Sequence, residues 1–159
     1  MKWHENLIEK AKIFIRNGQS LQPVLFLRSD KKISIIPLGR FAGDKDDLAT
    51  LLHMIVHFED PDEYLYLTEA FVKIVDQKDA ADSAVGALLA EGTLQVSQLP
   101  SAKEAITILL GDRKGERIGM IIFERHSNSI TFEDIKWMEG DNLTGRFTGL
   151  RNLGPLFCL

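Results

Sequence analysis

Residues 64–75 decide the fold, and they read Tyr-Leu-Tyr-Leu-Thr-Glu-Ala-Phe-Val-Lys-Ile-Val. Aromatic and β-branched side chains dominate this stretch, which favours a β-strand. Both alternating sets of positions are largely apolar, as expected of a strand that is covered on its two faces. We therefore predict a central strand over 64–75, with helices to cover it.

Two helices are predicted on the N-terminal side of this strand. Over 5–17 the apolar residues recur at helical spacing and form one stripe. Over 45–58 a broad apolar arc follows Asp44, whose side chain is suited to cap the helix N-terminus. Asp60 precedes Pro61 and ends this helix, because the residue before a proline avoids the helical region.

The remaining apolar runs are short and predict antiparallel hairpins. The first hairpin pairs 23–27 with 33–36, and Pro37 ends the pairing or lies at an edge. A C-terminal meander of three strands follows, over 104–110, 117–125 and 129–137. The apolar pattern slips within the last strand, which predicts a β-bulge near Glu133 and Asp134. The prediction is an α+β fold with a mostly antiparallel sheet of about six strands and two main helices.

A length of 159 residues predicts one globular domain over 1–159. Residues 76–100 are expected to be a long connection, which in a compact domain is usually functional or mobile. Residues 140–159 carry four glycines among apolar side chains. We expect this segment to be an apolar tail that docks into a groove of its own domain or of a partner.

Charge, hydropathy and cysteine content exclude several classes of partner and cofactor. The formal net charge is -4, and clustered basic residues with interleaved aromatics are missing, so no nucleic acid is expected. Three cations flank one hairpin tip, where we expect Asp112 and Glu116 to neutralise them: Arg113, Lys114 and Arg117. No membrane span of about 18 apolar residues is present, and a charged N-terminus disfavours a secretory signal. With Cys158 as the single cysteine, we expect a cytoplasmic protein with no disulfide and no cofactor.

His53 and His57 lie four residues apart on the second predicted helix, which is the spacing of a helical metal site. The glutamate of the His-Glu-x-x-His pattern is missing, because Met54 takes its place. His4 or His126 would have to supply a third ligand. The helical wheel places both histidines opposite the apolar arc, so we expect a solvated polar face, with a metal-dependent hydrolase as the weaker alternative.

Glu69 interrupts the apolar pattern of the central strand. A carboxylate in a buried strand is costly unless it is paired or faces a cavity, and such exceptions often mark functional places. We expect Arg125 as its partner, with Glu104 as a further candidate from the meander. This predicts a small-molecule-binding domain or enzyme with a pocket around Glu69, and an exposed strand position is the alternative.

No complete catalytic motif is present in the sequence: a nucleophile elbow, a P-loop and a dinucleotide fingerprint are all missing. The first hypothesis for function is therefore a binding or assembly module without catalytic chemistry. The apolar tail further suggests self-association, for which a two-fold contact between identical surfaces is the usual arrangement. The pocket around Glu69 and the metal-dependent hydrolase stay open as alternatives.

Overall fold

A computed structural model describes residues 2–72, 102–138 and 149–151. The predicted connection over 76–100 and most of the predicted tail lie outside the described residues. The described elements, in chain order, are α1 (Trp3–Arg16), β1 (Val24–Ser29), β2 (Lys32–Pro37), a short 3-10 helix (Gly39–Phe41), α2 (Lys45–Glu59), β3 (Glu63–Val72), β4 (Lys103–Asp112), β5 (Glu116–Arg125), β6 (Ile130–Phe132) and β7 (Lys136–Met138).

The strands form one antiparallel sheet in the order β2-β1-β3-β4-β5-β6, and β7 also pairs with β5. The predicted α+β fold with its C-terminal meander is confirmed, with seven strands where about six were expected. Pro37 ends the edge strand β2, where its missing N–H costs no ladder hydrogen bond.

The central strand β3 is covered on both faces, as its sequence predicts. Four consecutive residues from Tyr64 to Leu67 are buried, because successive side chains point to opposite faces and each face carries a helix. Leu65 and Leu67 share one core with Ile8 and Ile15 of α1. On the other face, Tyr64 and Tyr66 share a second core with three residues of α2: Leu48, Leu52 and Val56.

Helix α2 begins as predicted. The Asp44 carboxylate accepts hydrogen bonds of 3.0 Å from the backbone N–H groups of Asp46 and Asp47, which satisfies two donors of the first turn. The helix ends at Glu59, and the residue that caps it, Asp60, adopts a left-handed conformation with φ 46°. None of the described helices has the length and apolar character that crossing a membrane requires.

The predicted bulge in the last strand is confirmed, and it divides that strand into β6 and β7. Phe132 pairs with Phe123, and Lys136 pairs with Met120. Four steps along this strand therefore oppose three steps along β5, which leaves one extra residue. The bulge turns the side chains of β7 so that Trp137 lies over β5.

Residues 149–151 pack against their own chain at the β4–β5 end of the sheet. Leu150 is fully buried in the core beneath α2. Arg151 binds the Asp60 carboxylate at 2.8 Å and also donates to the Pro61 carbonyl. This described part of the predicted docking tail therefore occupies a groove of its own domain.

Candidate functional site

Glu69 is half-buried on β3, and its partner is a backbone group. Its Oε1 accepts a hydrogen bond of 2.7 Å from the N–H of Leu21 in the segment that follows α1. The expectation that Arg125 pairs with Glu69 is wrong, because Arg125 binds a different carboxylate. The sequence alone carried no information on which loop passes over this end of β3.

Arg125 pairs with Glu104, whose Oε2 lies 2.9 Å from the Nε of Arg125. Phe123 faces Glu104 across the β4–β5 ladder, and Ile106 faces Glu69 across the β3–β4 ladder. The three predicted site residues therefore share one face and one end of the sheet. Glu104 and Arg125 form a partly exposed pair, and such pairs typically contribute about 0–1 kcal/mol.

The two histidines of α2 do not form a shared solvated face. His53 is buried, with 6% of its surface exposed, and it belongs to the buried arc of α2 together with Ala49 and Val56. The expectation that both are solvated is therefore wrong for His53. His57 is exposed, and its Nδ1 lies 2.8 Å from the carbonyl oxygen of Arg151. Across 2–72, 102–138 and 149–151, no three His, Cys, Asp or Glu residues cluster as metal ligands would.

A cleft lies where the N-terminal end of α1 crosses β5 and β7. It consists of two adjoining open cavities of about 380 and 410 Å³. The two cavities share three of their lining residues: Lys2, His4 and Arg117. We call this region the α1 cleft. Neither cavity is lined by Glu69.

His4 is the buried polar group of the α1 cleft. It lies in the first turn of α1 and keeps 8% of its surface exposed. Its Nδ1 is shielded and has no hydrogen-bond partner among the described residues. Burial lowers the pKa of His4 below its ordinary 6.5, and the nearby carboxylates of Glu5 and Glu63 oppose that shift in part.

Arg117 is the second notable group, because an aromatic ring holds its side chain. Its guanidinium carbon lies 4.0 Å from the centroid of the Trp137 ring. Gly119 permits this arrangement, since a Cβ at this position would come within 2.9 Å of two Trp137 ring atoms. The indole therefore lies close over β5, with Arg117 against it.

The three acidic residues that line the second cavity accept hydrogen bonds from donors other than Arg117. Glu63 accepts from Trp3 at 2.8 Å and from Arg28 at 2.5 Å. Glu116 accepts from Tyr64 and from the backbone of residues 149 and 150. The Asp112 carboxylate accepts two backbone N–H groups of its own turn.

The expected neutralisation of the hairpin cations by Asp112 and Glu116 is therefore wrong. Arg113 pairs instead with Asp60 and Asp62. Within the part of the chain that the structure describes, Arg117 forms no ion pair and keeps its stacking contact with Trp137.

Sequence reasoning did not identify the α1 cleft. The sequence suggested His4 only as a possible third metal ligand. It suggested Arg117 only as a hairpin cation neutralised by nearby acids. Gly119, in the middle of a predicted strand, is the one signal available, since a glycine inside a strand often marks the close approach of another group.

No family model matches the chain, and comparisons with curated proteins and with solved structures return no match.

Proposed function

We propose that this chain is a binding module without catalytic chemistry and that the α1 cleft is its binding surface. One observation carries the proposal: Arg117 is held against Trp137 in a concave region, and its N–H groups form no ion pair with described residues. A charged side chain that is ordered by stacking and left without a carboxylate is prepared to bind a ligand.

The dimensions of the cleft suit a small molecule. Cavities of about 380 and 410 Å³ fall within the range of roughly 300–1,000 Å³ that ligand pockets occupy. Apolar side chains line part of the first cavity, among them Ile8, Ile121 and Ile135. The other residues that line this cavity are charged or polar apart from Trp137, so a ligand with both apolar and charged parts would fit it best.

This proposal moves the small-molecule hypothesis from Glu69 to the α1 cleft. Leu21 donates to one oxygen of Glu69, and Arg125 is engaged by Glu104. Glu69, Glu104 and Arg125 thus already have protein partners. In the α1 cleft, His4 and Arg117 keep donors or acceptors that have no partner among the described residues.

A fragment screen followed by amide NMR tests this function. We expect some compounds of the screen to shift the amide signals of Lys2, His4, Arg117 and Gly119 together with the indole N–H of Trp137. Signals of the exposed helix end near Phe58, on the opposite side of the sheet, should stay in place. The proposal fails if no compound of the screen moves the cleft signals.

We further propose self-association in the cytoplasm, through the β2 edge of the sheet. Ile33 and Ile35 are 41% and 64% exposed on this strand. Ile35 pairs with Phe26, which belongs to the α1 core, so both isoleucines lie on the α1 side of the sheet. Exposed apolar side chains on an edge strand favour pairing with another chain. Leu150, in the described part of the tail, is buried in its own domain, so the proposal rests on β2.

Light scattering after gel filtration tests the self-association. We expect the wild-type chain to have a dimer mass and Ile35→Lys to have a monomer mass. Phe58→Lys is the matched control, because Phe58 is 70% exposed on α2, away from β2. A wild-type chain that stays monomeric at high micromolar concentration contradicts the proposal, and so does a dimer that persists in Ile35→Lys.

A further inference from the structure

We infer that the ligand of the α1 cleft is a small carboxylate with an apolar body, bound by Arg117 with Lys2 and His4 at its side. This inference rests on the proposed function and adds the chemical class of the ligand. It stands on the geometry of Arg117, on the buried His4 that lines both cavities and on the composition of the cleft walls.

The geometry of Arg117 points to a planar oxyanion. A guanidinium presents parallel N–H donors that match the two oxygens of a carboxylate. The Trp137 ring, 4.0 Å away, contacts the guanidinium and leaves its N–H groups without a described carboxylate. Arg117 is exposed, and its contact with Trp137 restricts the side chain, so less conformational entropy should be lost when the ligand binds.

The N-terminal end of α1 adds favourable interactions for negative charge. Lys2 precedes the first turn, and the helix dipole places partial positive charge at this end. A helix end is not by itself a site, but here the first turn also carries His4, which is more than nine-tenths buried and lines both cavities. The Nδ1 atom itself is shielded from the cleft, so His4 contributes its ring to the walls of both cavities and we assign no ligand hydrogen bond to Nδ1.

The walls of the cleft restrict the ligand further. Apolar contacts are available mainly from the partly exposed Ile135 and Trp137, since Ile8 and Ile121 are buried, and this suits an aliphatic or aromatic body. The charges that line the first cavity are balanced, with three cations and three acids: Lys2, Lys12 and Arg117, against Glu5, Glu9 and Asp134. A ligand with one negative charge is therefore favoured over a dianion, which the three acids would repel.

Calorimetric titration with four probes tests the inference. Benzoate and hexanoate carry a carboxylate on an apolar body, benzyl alcohol lacks the charge, and inorganic phosphate lacks the apolar body. We expect benzoate and hexanoate to bind at least about tenfold more tightly than the other two, since a charge-assisted pair of hydrogen bonds is involved.

Variants then assign the binding to Arg117. We expect Arg117→Ala to weaken benzoate binding about tenfold or more, and Arg117→Lys to weaken it less because the charge is retained. Arg113→Ala is the matched control and should leave the affinity unchanged, because Arg113 already pairs with Asp60 and Asp62. Circular dichroism checks that each variant is folded, and Arg117→Gln replaces the alanine variant if that one fails to fold.

The outcomes separate the two proposals. If benzyl alcohol or phosphate binds as tightly as benzoate, the carboxylate inference is wrong while the binding function stands. Equal benzoate affinity in wild type and Arg117→Ala also overturns the inference. If neither these probes nor any compound of the fragment screen binds, both proposals are wrong.

Discussion

Tyr64 donates a hydrogen bond of 2.5 Å from its hydroxyl group to Oε2 of Glu116. The two residues lie on β3 and β5, and the tyrosine ring passes over Gly111 on the strand between them. Burial raises the pKa of Tyr64 above its ordinary 10, and the hydrogen bond to Glu116 raises it further, so the phenol remains a donor. The same carboxylate accepts the N–H of Gly149 at 2.5 Å, and it thus joins the sheet to the segment around Leu150.

Replacing Glu116 by glutamine should destabilise the protein. Glutamine keeps one acceptor oxygen but loses the charge and the second acceptor for the hydrogen bonds from Tyr64, Gly149 and Leu150. The net loss should therefore equal about one hydrogen bond to a charged group, which contributes about 1.5–3 kcal/mol. We expect Glu116→Gln to lower the free energy of unfolding in urea by about 1.5–3 kcal/mol. Glu133→Gln, at an exposed position of the bulge, is the control and should change it by less than about 0.5 kcal/mol. Equal losses in the two variants would contradict the prediction.

A methyl group at Gly111 should also destabilise the protein. A Cβ there would lie 2.0 Å from Cζ of the fully buried Tyr64, and nothing lies within 4 Å of a Cβ at Gly115. We expect Gly111→Ala to cost about 1–3 kcal/mol or more, because the ring must move from a packed core. Gly115→Ala, four residues along the same hairpin, should be near neutral. Thermal unfolding of both variants checks this, and a stable Gly111→Ala would refute it.

His4 should make the protein less stable as the pH falls. Its pKa is lowered in the folded chain and is about 6.5 in the unfolded chain, so below pH 6.5 the unfolded chain takes up a proton that the folded chain resists. Burial is the first cause, Lys2 and Arg117 add to it, and Glu5 and Glu63 oppose it. Stability attributable to neutral His4 is therefore present above pH 6.5 and decreases as the pH falls towards the folded-state pKa.

The variant His4→Phe removes both the titration and the unpartnered nitrogen. We expect it to be more stable than wild type by about 1–3 kcal/mol at pH 8, with a larger advantage at pH 5.5. His4→Gln is the control, since it removes the titration and keeps a polar group at the buried position. Urea unfolding at the two pH values measures both effects, and a phenylalanine advantage that does not grow at pH 5.5 would count against the titration.

Glu69 and Glu104 should differ in their contributions to stability. Glu69→Ala leaves the half-buried N–H of Leu21 without its acceptor, which should cost about 1–3 kcal/mol. Glu104→Ala breaks a partly exposed ion pair with Arg125 and should cost about 0–1 kcal/mol. Glu69→Gln retains an acceptor oxygen and should fall between the two. Urea unfolding at neutral pH ranks the variants, and the interpretation fails if Glu69→Ala loses no more than Glu104→Ala.

The sequence by itself determined most of the helices and strands and the hairpin connections between neighbouring strands, but not the strand order of the sheet. The continuous apolar run at 64–67 predicts burial on both faces, because side chains alternate along a strand and each face then requires a cover. Asp44 predicts the start of α2, since capping is a contact between residues that are close in sequence. The slip of the apolar pattern near Glu133 likewise identifies the extra residue between β6 and β7. Each of these features depends on neighbouring residues along the chain.

Only the tertiary structure decided which charged and polar groups meet. Glu69 accepts a hydrogen bond from the backbone of Leu21, 48 positions away. Arg125, the partner expected for Glu69, pairs with Glu104. The helical wheel predicts that His53 lies opposite the apolar arc of α2. In the structure His53 lies within the buried face of α2 instead. The α1 cleft combines a helix end, the middle of β5 and the bulged β7. Side-chain partners of this kind depend on strand order and on the paths of loops. Local periodicity indicates which positions of one element are buried, and it contains no information on these partners.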